Sequence, residues 1–143
     1  MQVFINGFGR IGRSVLRAYL QSPDRWPGLD IVGINDIAAP EMCAYLFEFD
    51  SVFGPWHGSV ALDHGALVVD GRAIPLHRTP DLSTLDQRGT DLVLECTGRA
   101  EAREVAERGL RAGAGRGGVF GAARAAGGTR CLGGDEGPVP HPK

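Results

Sequence analysis

Three glycines, Gly7, Gly9 and Gly12, separate a short apolar run at Val3–Asn6 from a stretch whose apolar residues recur with helical spacing. No other feature of the chain constrains its fold as tightly. A strand that turns within a few residues into a helix lying back along it needs one glycine for the tight turn and another where helix and strand touch. The helix is expected over Arg10–Gln21, with Ile11, Val15, Leu16, Tyr19 and Leu20 on its inward stripe. Arg10 and Arg13 fall in its first turn, where unpaired backbone N–H groups already carry partial positive charge. Two cations there point to an anion held at the helix start, although long arginine side chains can also swing into solvent.

The rest of the first hundred residues alternates strands with helices. Ile31–Asn35 is a continuous apolar strand, of the kind buried on both faces of a parallel sheet. PDRWPG at 23–28 reads as loop, and Pro40 opens a second helix carrying Met42, Ala44, Tyr45, Leu46 and Phe49. Small strands are expected at Ser59–Leu62 and Ala66–Val69 around an Asp63-His64-Gly65 turn, then at Ala73–His77 and Leu92–Cys96. A further helix is expected over about 100–112, with Glu104/Arg108 and Glu107/Arg111 at i,i+4 on its wet side. This order predicts an α/β fold, a Rossmann-type, doubly wound and mostly parallel sheet, incomplete at its C-terminal end. The domain is expected over 1–113. Ten of the 22 glycines fall in residues 113–143, so 114–143 reads as a Gly/Ala/Arg-rich, poorly ordered tail, with Val119-Phe120 its one strand candidate.

Composition removes several classes. A formal charge of −2 gives no electrostatic case for nucleic acid or an anionic membrane. Cys43, Cys96 and Cys131 are too widely spaced for a disulfide framework or a zinc site, and the four histidines are scattered. No apolar run reaches the length of a membrane span and no signal-peptide pattern precedes the first strand, so a reducing cytoplasm is the expected location.

Gly7-Phe8-Gly9-Arg10-Ile11-Gly12 fits G-x-G-x-x-G, the loop that lets a pyrophosphate approach bare amides at a helix start. The backbone N–H groups of Arg10 and Ile11 are the expected donors. Asp36 ends the second strand 24 residues beyond Gly12, close to the ~20-residue offset of a carboxylate that bonds the adenosine ribose. It would repel a 2′-phosphate, which favours NAD over NADP. A helix-capping role for Asp36 stays open at this level.

The nine residues INGFGRIGR, Ile5 to Arg13, resemble the opening of the glyceraldehyde-3-phosphate dehydrogenase family, including its erythrose-4-phosphate dehydrogenase relatives. Gly33-Ile34-Asn35-Asp36, the stretch Tyr45 to Gly54, His77-Arg78-Thr79-Pro80 and Glu95-Cys96-Thr97-Gly98 resemble further family segments in order, so the likeness covers residues 1 to about 113. It implies an NAD seat drawn from Asn6, Gly7, Phe8, Gly9, Arg10, Ile11, Gly12, Asn35, Asp36, Arg78, Cys96, Thr97 and Gly98. Within it the phosphates go to Arg10 and Ile11, the adenosine ribose to Asp36, an adenine-side contact to Arg78, and the far end of the cofactor to Thr97 and Cys96. Where the family has serine this chain has Cys96, a weaker donor.

The resemblance also implies a nucleophilic cysteine in Ser-Cys-Thr-Thr-Asn, a histidine base and phosphate-binding residues in a second domain. Cys131, in Thr129-Arg130-Cys131-Leu132-Gly133, has none of those neighbours and nothing local to make it a thiolate. Cys43 reads as core. The chain is therefore expected to lack catalytic residues and to be inactive alone, with the family's sugar-phosphate aldehyde a substrate only of a full-length relative. A stop or frameshift near residue 115 would account for the change in composition. An inactive stand-alone dinucleotide-binding module, a poorly folding remnant, and a homo-oligomer are the other readings.

Overall fold

The structure, a computed structural model, describes residues 1–98 and 111–119. Strand β1 (Gln2–Asn6) leads through the glycine turn into α1 (Arg10–Gln21), and β2 (Asp30–Asn35) into α2 (Pro40–Glu48). A two-stranded ribbon follows, β3 (Phe49–Asp50) with β4 (Gly54–Pro55). Then come β5 (Val60–Asp63), β6 (Ala66–Val69), β7 (Arg72–His77), β8 (Leu92–Glu95) and β9 (Arg116–Val119). A short 3-10 turn at Pro23–Arg25 lies in the stretch expected to be loop, and a second lies at Leu82–Thr84.

One seven-stranded sheet runs in the order β5-β6-β7-β2-β1-β8-β9. From β7 to β9 every pairing is parallel, while β5, β6 and β7 form an antiparallel meander at one side. The meander turns sharply at His64-Gly65 and again at Asp70-Gly71, all four residues with positive φ. Such pairs match the twist of a two-residue hairpin, and the Asp-Gly pair carries that signal as plainly in sequence as the first turn does. β9 sits on β8 from Leu92↔Arg116 to Glu95↔Val119, so the sheet continues past residue 113. The helix expected over about 100–112 lies largely outside the described residues, as do Cys131 and the tail after 119.

Alternation along β1 builds a core on each face. Val3 and Ile5 join Leu16 and Tyr19 of α1, Ile31, Ile34, Cys43 and Phe47 on one side, whereas Phe4 packs with Leu82, Val93 and Ala114 on the other. Two expected helix faces need correction. Ile11 is exposed, whereas Gly12, Leu16, Arg17 and Tyr19 are buried and Val15 and Leu20 pack half-buried against the core. In α2 the buried pair is Cys43 and Phe47, one turn apart, while Met42 and Tyr45 are about half exposed, as is Phe49 just after the helix. Phe47 points inward because Phe8 stacks on it at 6.1 Å and Trp56 lies against it at 5.4 Å.

Candidate functional site

The central strand β1 has β2 on one side and β8 on the other, and chain order reverses direction across the sheet at this point. The carboxyl ends of such strands diverge and leave a crevice. Here it is a cleft of about 460 Å³ lined by Asn6, Gly7, Gly9, Asn35, Asp36, Ile37, Thr79, Pro80, Glu95, Cys96 and Thr97.

The glycine loop forms its near wall. Gly7 has φ +98° and packs so closely on the Cys96–Thr97 backbone that a Cβ would lie 2.6 Å from the Thr97 nitrogen. At Gly12 a Cβ would sit 2.2 Å from the Gly7 carbonyl oxygen, so α1 crosses its own strand turn in contact. Gly9 faces open space within 4 Å and stands as N-cap of α1 with no side chain capping the helix. The first turn of α1 contains no acidic residue, and its N–H groups have no carbonyl one turn earlier to bond. That combination is an anion cradle.

Asp36 closes the loop from the other side. Its Oδ2 accepts the Phe8 N–H at 2.6 Å and its Oδ1 the Ala38 N–H at 2.8 Å. A carboxylate offers about four acceptor positions, so two are left for hydroxyl groups of a ligand.

The expected site residues divide by position. Asn6, Gly7, Gly9, Asn35, Asp36, Cys96 and Thr97 line the cleft. Phe8 does so only through its backbone, since its side chain is buried against Phe47. Arg10 and Ile11 are exposed at the helix start, with Gly12 beneath them. Arg13 turns back, its guanidinium donating to the Phe8 carbonyl at 3.1 Å, while its Nε is buried with no partner among the described residues. Arg78 is exposed and its Nε donates to the Ile37 carbonyl at 2.9 Å, bracing the far lip. Gly98 is exposed, with φ +71°.

Sequence reasoning named Asn6 and Asn35 but missed Glu95 and Thr79, the partners with which they build the floor. Asn6 and Asn35 are buried, and Asn35 Nδ2 donates to Asn6 Oδ1 at 2.8 Å. Asn6 Nδ2 donates in turn to Glu95 Oε2 at 2.7 Å, and the Thr97 hydroxyl donates to Glu95 Oε1 at 2.7 Å. Asn35 also clasps Thr79, accepting its N–H at 2.9 Å and donating to its carbonyl at 3.0 Å. Glu95, Thr79, Pro80 and Ile37 were all visible as neighbours of recognisable motif residues, but only the pairing of strand ends shows that they converge.

Both described cysteines are buried, and their surroundings disfavour the thiolate. Burial, then the neighbouring Glu95 carboxylate, push the Cys96 thiol up to about 12. Burial, then Asp36, raise Cys43 to about 11, and Cys43 sits in the core as its sequence context implies. Among the described residues no cluster of side chains could hold a metal, and no helix is long and apolar enough to cross a membrane.

A parallel sheet ordered β7-β2-β1-β8-β9, with a glycine loop and a strand-end carboxylate facing a cleft at the reversal point, defines the class: a Rossmann-type, NAD-binding domain. Residues 1–103 match the family model for the NAD-binding domain of glyceraldehyde 3-phosphate dehydrogenase. The chain belongs to the glyceraldehyde-3-phosphate dehydrogenase family. It is similar to glyceraldehyde-3-phosphate dehydrogenases of Clostridium pasteurianum (44% identical over 115 residues, 79% of this chain and 33% of the relative) and Helicobacter pylori (41% over 114 residues, 80% and 33%). The cytosolic enzyme of Leishmania mexicana is 42% identical over 118 residues, 81% of this chain and 34% of the relative. The chain thus spans about a third of the length of these curated relatives.

Proposed function

We propose that this domain seats NAD with its pyrophosphate on the backbone N–H groups of Arg10 and Ile11 and its adenosine ribose on the remaining lone pairs of Asp36. The adenine then lies by Ile37 and the Arg78 lip, and the nicotinamide end reaches toward Thr97 beside Cys96. The observation that carries this reading is the Phe8–Asp36 hydrogen bond, which sets the carboxylate at the mouth of the glycine loop. The residues present fit the group: an uncapped helix start for the diphosphate, open space over Gly9, and a carboxylate for ribose hydroxyls. The same carboxylate disfavours a 2′-phosphate, so NAD is preferred over NADP.

NAD, when bound, accepts a hydride from the carbon being oxidised. This chain's own residues bind and orient it. The whole enzyme's reaction, in our reading, is oxidation of a sugar-phosphate aldehyde to an acyl phosphate, with its nucleophile elsewhere than Cys43 or Cys96. Assembly with further copies and a cytoplasmic location, where buried free thiols persist, belong to the same proposal. Titration of the purified chain with NAD tests it: saturable binding, weakened at least about tenfold by Asp36→Ala and weaker for NADP, is expected. No saturable binding by the unmodified chain overturns it.

A further inference from the structure

Among the described residues Glu95 is the one carboxylate on the floor of the cleft, 3% exposed, and no ion pair meets it. Burying a carboxylate among neutral groups is costly, and a neutral glutamine of the same length would avoid that. Something about an acid at this position must matter. We propose that Glu95 is a positioning residue: by accepting on both oxygens it fixes the polarity of the hydrogen-bond chain Thr97–Glu95–Asn6–Asn35 and so locks together the strand ends that form the cleft. The inference rests on the reading of that cleft as the NAD seat.

Direction is the point of the argument. An ionised carboxylate only accepts, so Asn6 must turn its Nδ2 toward Glu95 and present Oδ1 to Asn35. Asn35 must then donate to Asn6, which leaves its own Oδ1 to receive the Thr79 N–H. Every amide orientation follows from the acid at the end. The chain crosses β8, β1 and β2 and reaches the loop after β7, so it ties together the opposite sides of the crevice. With Glu95→Gln two polarities become possible where the acid allows one. If the amide accepts from Thr97 it offers an N–H to Asn6, and two N–H groups face each other there or, once Asn6 and Asn35 rotate, at the Thr79 N–H. If it instead accepts from Asn6, it donates to the Thr97 hydroxyl, whose proton must leave position 95 for another acceptor. Each polarity takes one donor away from the partner it has in the unmodified chain.

Reversing the partners removes that loss. When Glu95→Gln is combined with Asn6→Asp, the new amide at position 95 accepts from Thr97 and donates to the new carboxylate at position 6. That carboxylate still accepts from Asn35. A purely steric or charge-independent role gives no reason for such rescue.

The experiment compares the unmodified chain, Glu95→Gln, Asn6→Asp and the double variant by NAD titration, thermal unfolding and the ¹H–¹⁵N resonances of the Asn35 side-chain amide. Each single variant is expected to bind NAD about tenfold or more weakly, to melt earlier and to shift the Asn35 amide pair. The double variant is expected to recover binding to within about threefold, with the Asn35 resonances restored. Glu95→Gln indistinguishable from the unmodified chain, or a double variant that is no better than Glu95→Gln or fails to fold, overturns the assignment. Should the unmodified chain not bind NAD, the proposed function falls, and melting with the Asn35 resonances still decides the role of Glu95: rescue supports it, and no rescue overturns it.

Discussion

Asp36 holds the Phe8 N–H at 2.6 Å, so the end of β2 and the glycine loop of β1 form one rigid edge of the cleft. The bond runs from the residue that ends one strand to the middle of a turn that three glycines make possible. It lets a single carboxylate shape the loop at the helix start while facing it, and under the proposed NAD seating it makes loop geometry and ribose recognition inseparable.

Substitution of Asp36 should therefore disturb more than one contact. Asp36→Ala removes the acceptors of the Phe8 and Ala38 N–H groups together with the proposed ribose partner, and Kd for NAD is expected to rise by at least about tenfold. Asp36→Asn keeps one oxygen, so it can satisfy one of the two backbone donors and should fall between. Calorimetric titration of the three proteins checks the order.

The glycines of the loop separate fold from function. Gly12→Ala drives a methyl group to 2.2 Å from the Gly7 carbonyl oxygen, which α1 can relieve only by moving off β1. A loss of about 2 kcal/mol or more in denaturant unfolding is expected. Gly9→Ala meets nothing within 4 Å and has an ordinary φ of −78°, so stability should hold within about 0.5 kcal/mol. Its methyl group stands where the diphosphate is proposed to approach, and NAD binding should weaken several-fold. Equal effects of the two substitutions on stability would break the distinction.

Local signals carried most of the fold. The span of α1, the strand at β2 and the hairpin at His64-Gly65 are written in spacing, apolar continuity and turn residues within a few positions of each other. Long-range partners are not. Nothing near Glu95 in sequence announces Asn6, 89 residues away, and nothing near Arg17 announces the aromatic residues that bury it. Part of the α2 face went astray for the same reason: Cys43 was legible as core, but Phe47 turns inward and Tyr45 outward only once Phe8 and Trp56 arrive from other elements to meet Phe47. Of the cleft, the glycines, Asp36, Asn6 and Asn35 were legible, while Glu95 and the hydrogen bonds that join it to the two amides needed the sheet order.

Arg17 shows how much such a hidden partner can hold. It is 4% exposed on α1, donates to the Phe47 carbonyl at 2.8 Å, and has its guanidinium carbon 5.5, 5.3 and 5.9 Å from the ring centres of Phe47, Trp56 and Phe53. Met in its place keeps the apolar stem but gives up the charged donor and the ring contacts. Arg17→Met is expected to destabilise the domain by about 2 kcal/mol, read from the urea midpoint, with Trp56 emission altered in the folded state. An unchanged midpoint would show that the guanidinium contributes nothing net.

The two buried thiols set an alkaline limit to stability. Cys43 and Cys96 have folded values near 11 and 12 against an ordinary thiol value of 9.0, in both cases chiefly because burial disfavours the thiolate. Between pH 9 and those values the unfolded chain releases thiol protons that the folded chain keeps, so unfolding binds fewer protons and stability falls as pH rises. Below pH 9 both states hold the proton and the thiols give no slope. By pH 10 each contributes a loss on the order of 1 kcal/mol. Replacing both with alanine, whatever it does to stability at pH 7, should flatten the decline between pH 9 and 11 relative to the unmodified chain. Urea unfolding at a series of pH values measures that difference, which cancels the tyrosines and other groups common to both proteins. Parallel curves would mean that the thiols ionise as readily in the folded chain as in the unfolded one, and the core around Cys43 and Cys96 would then have to be open to water.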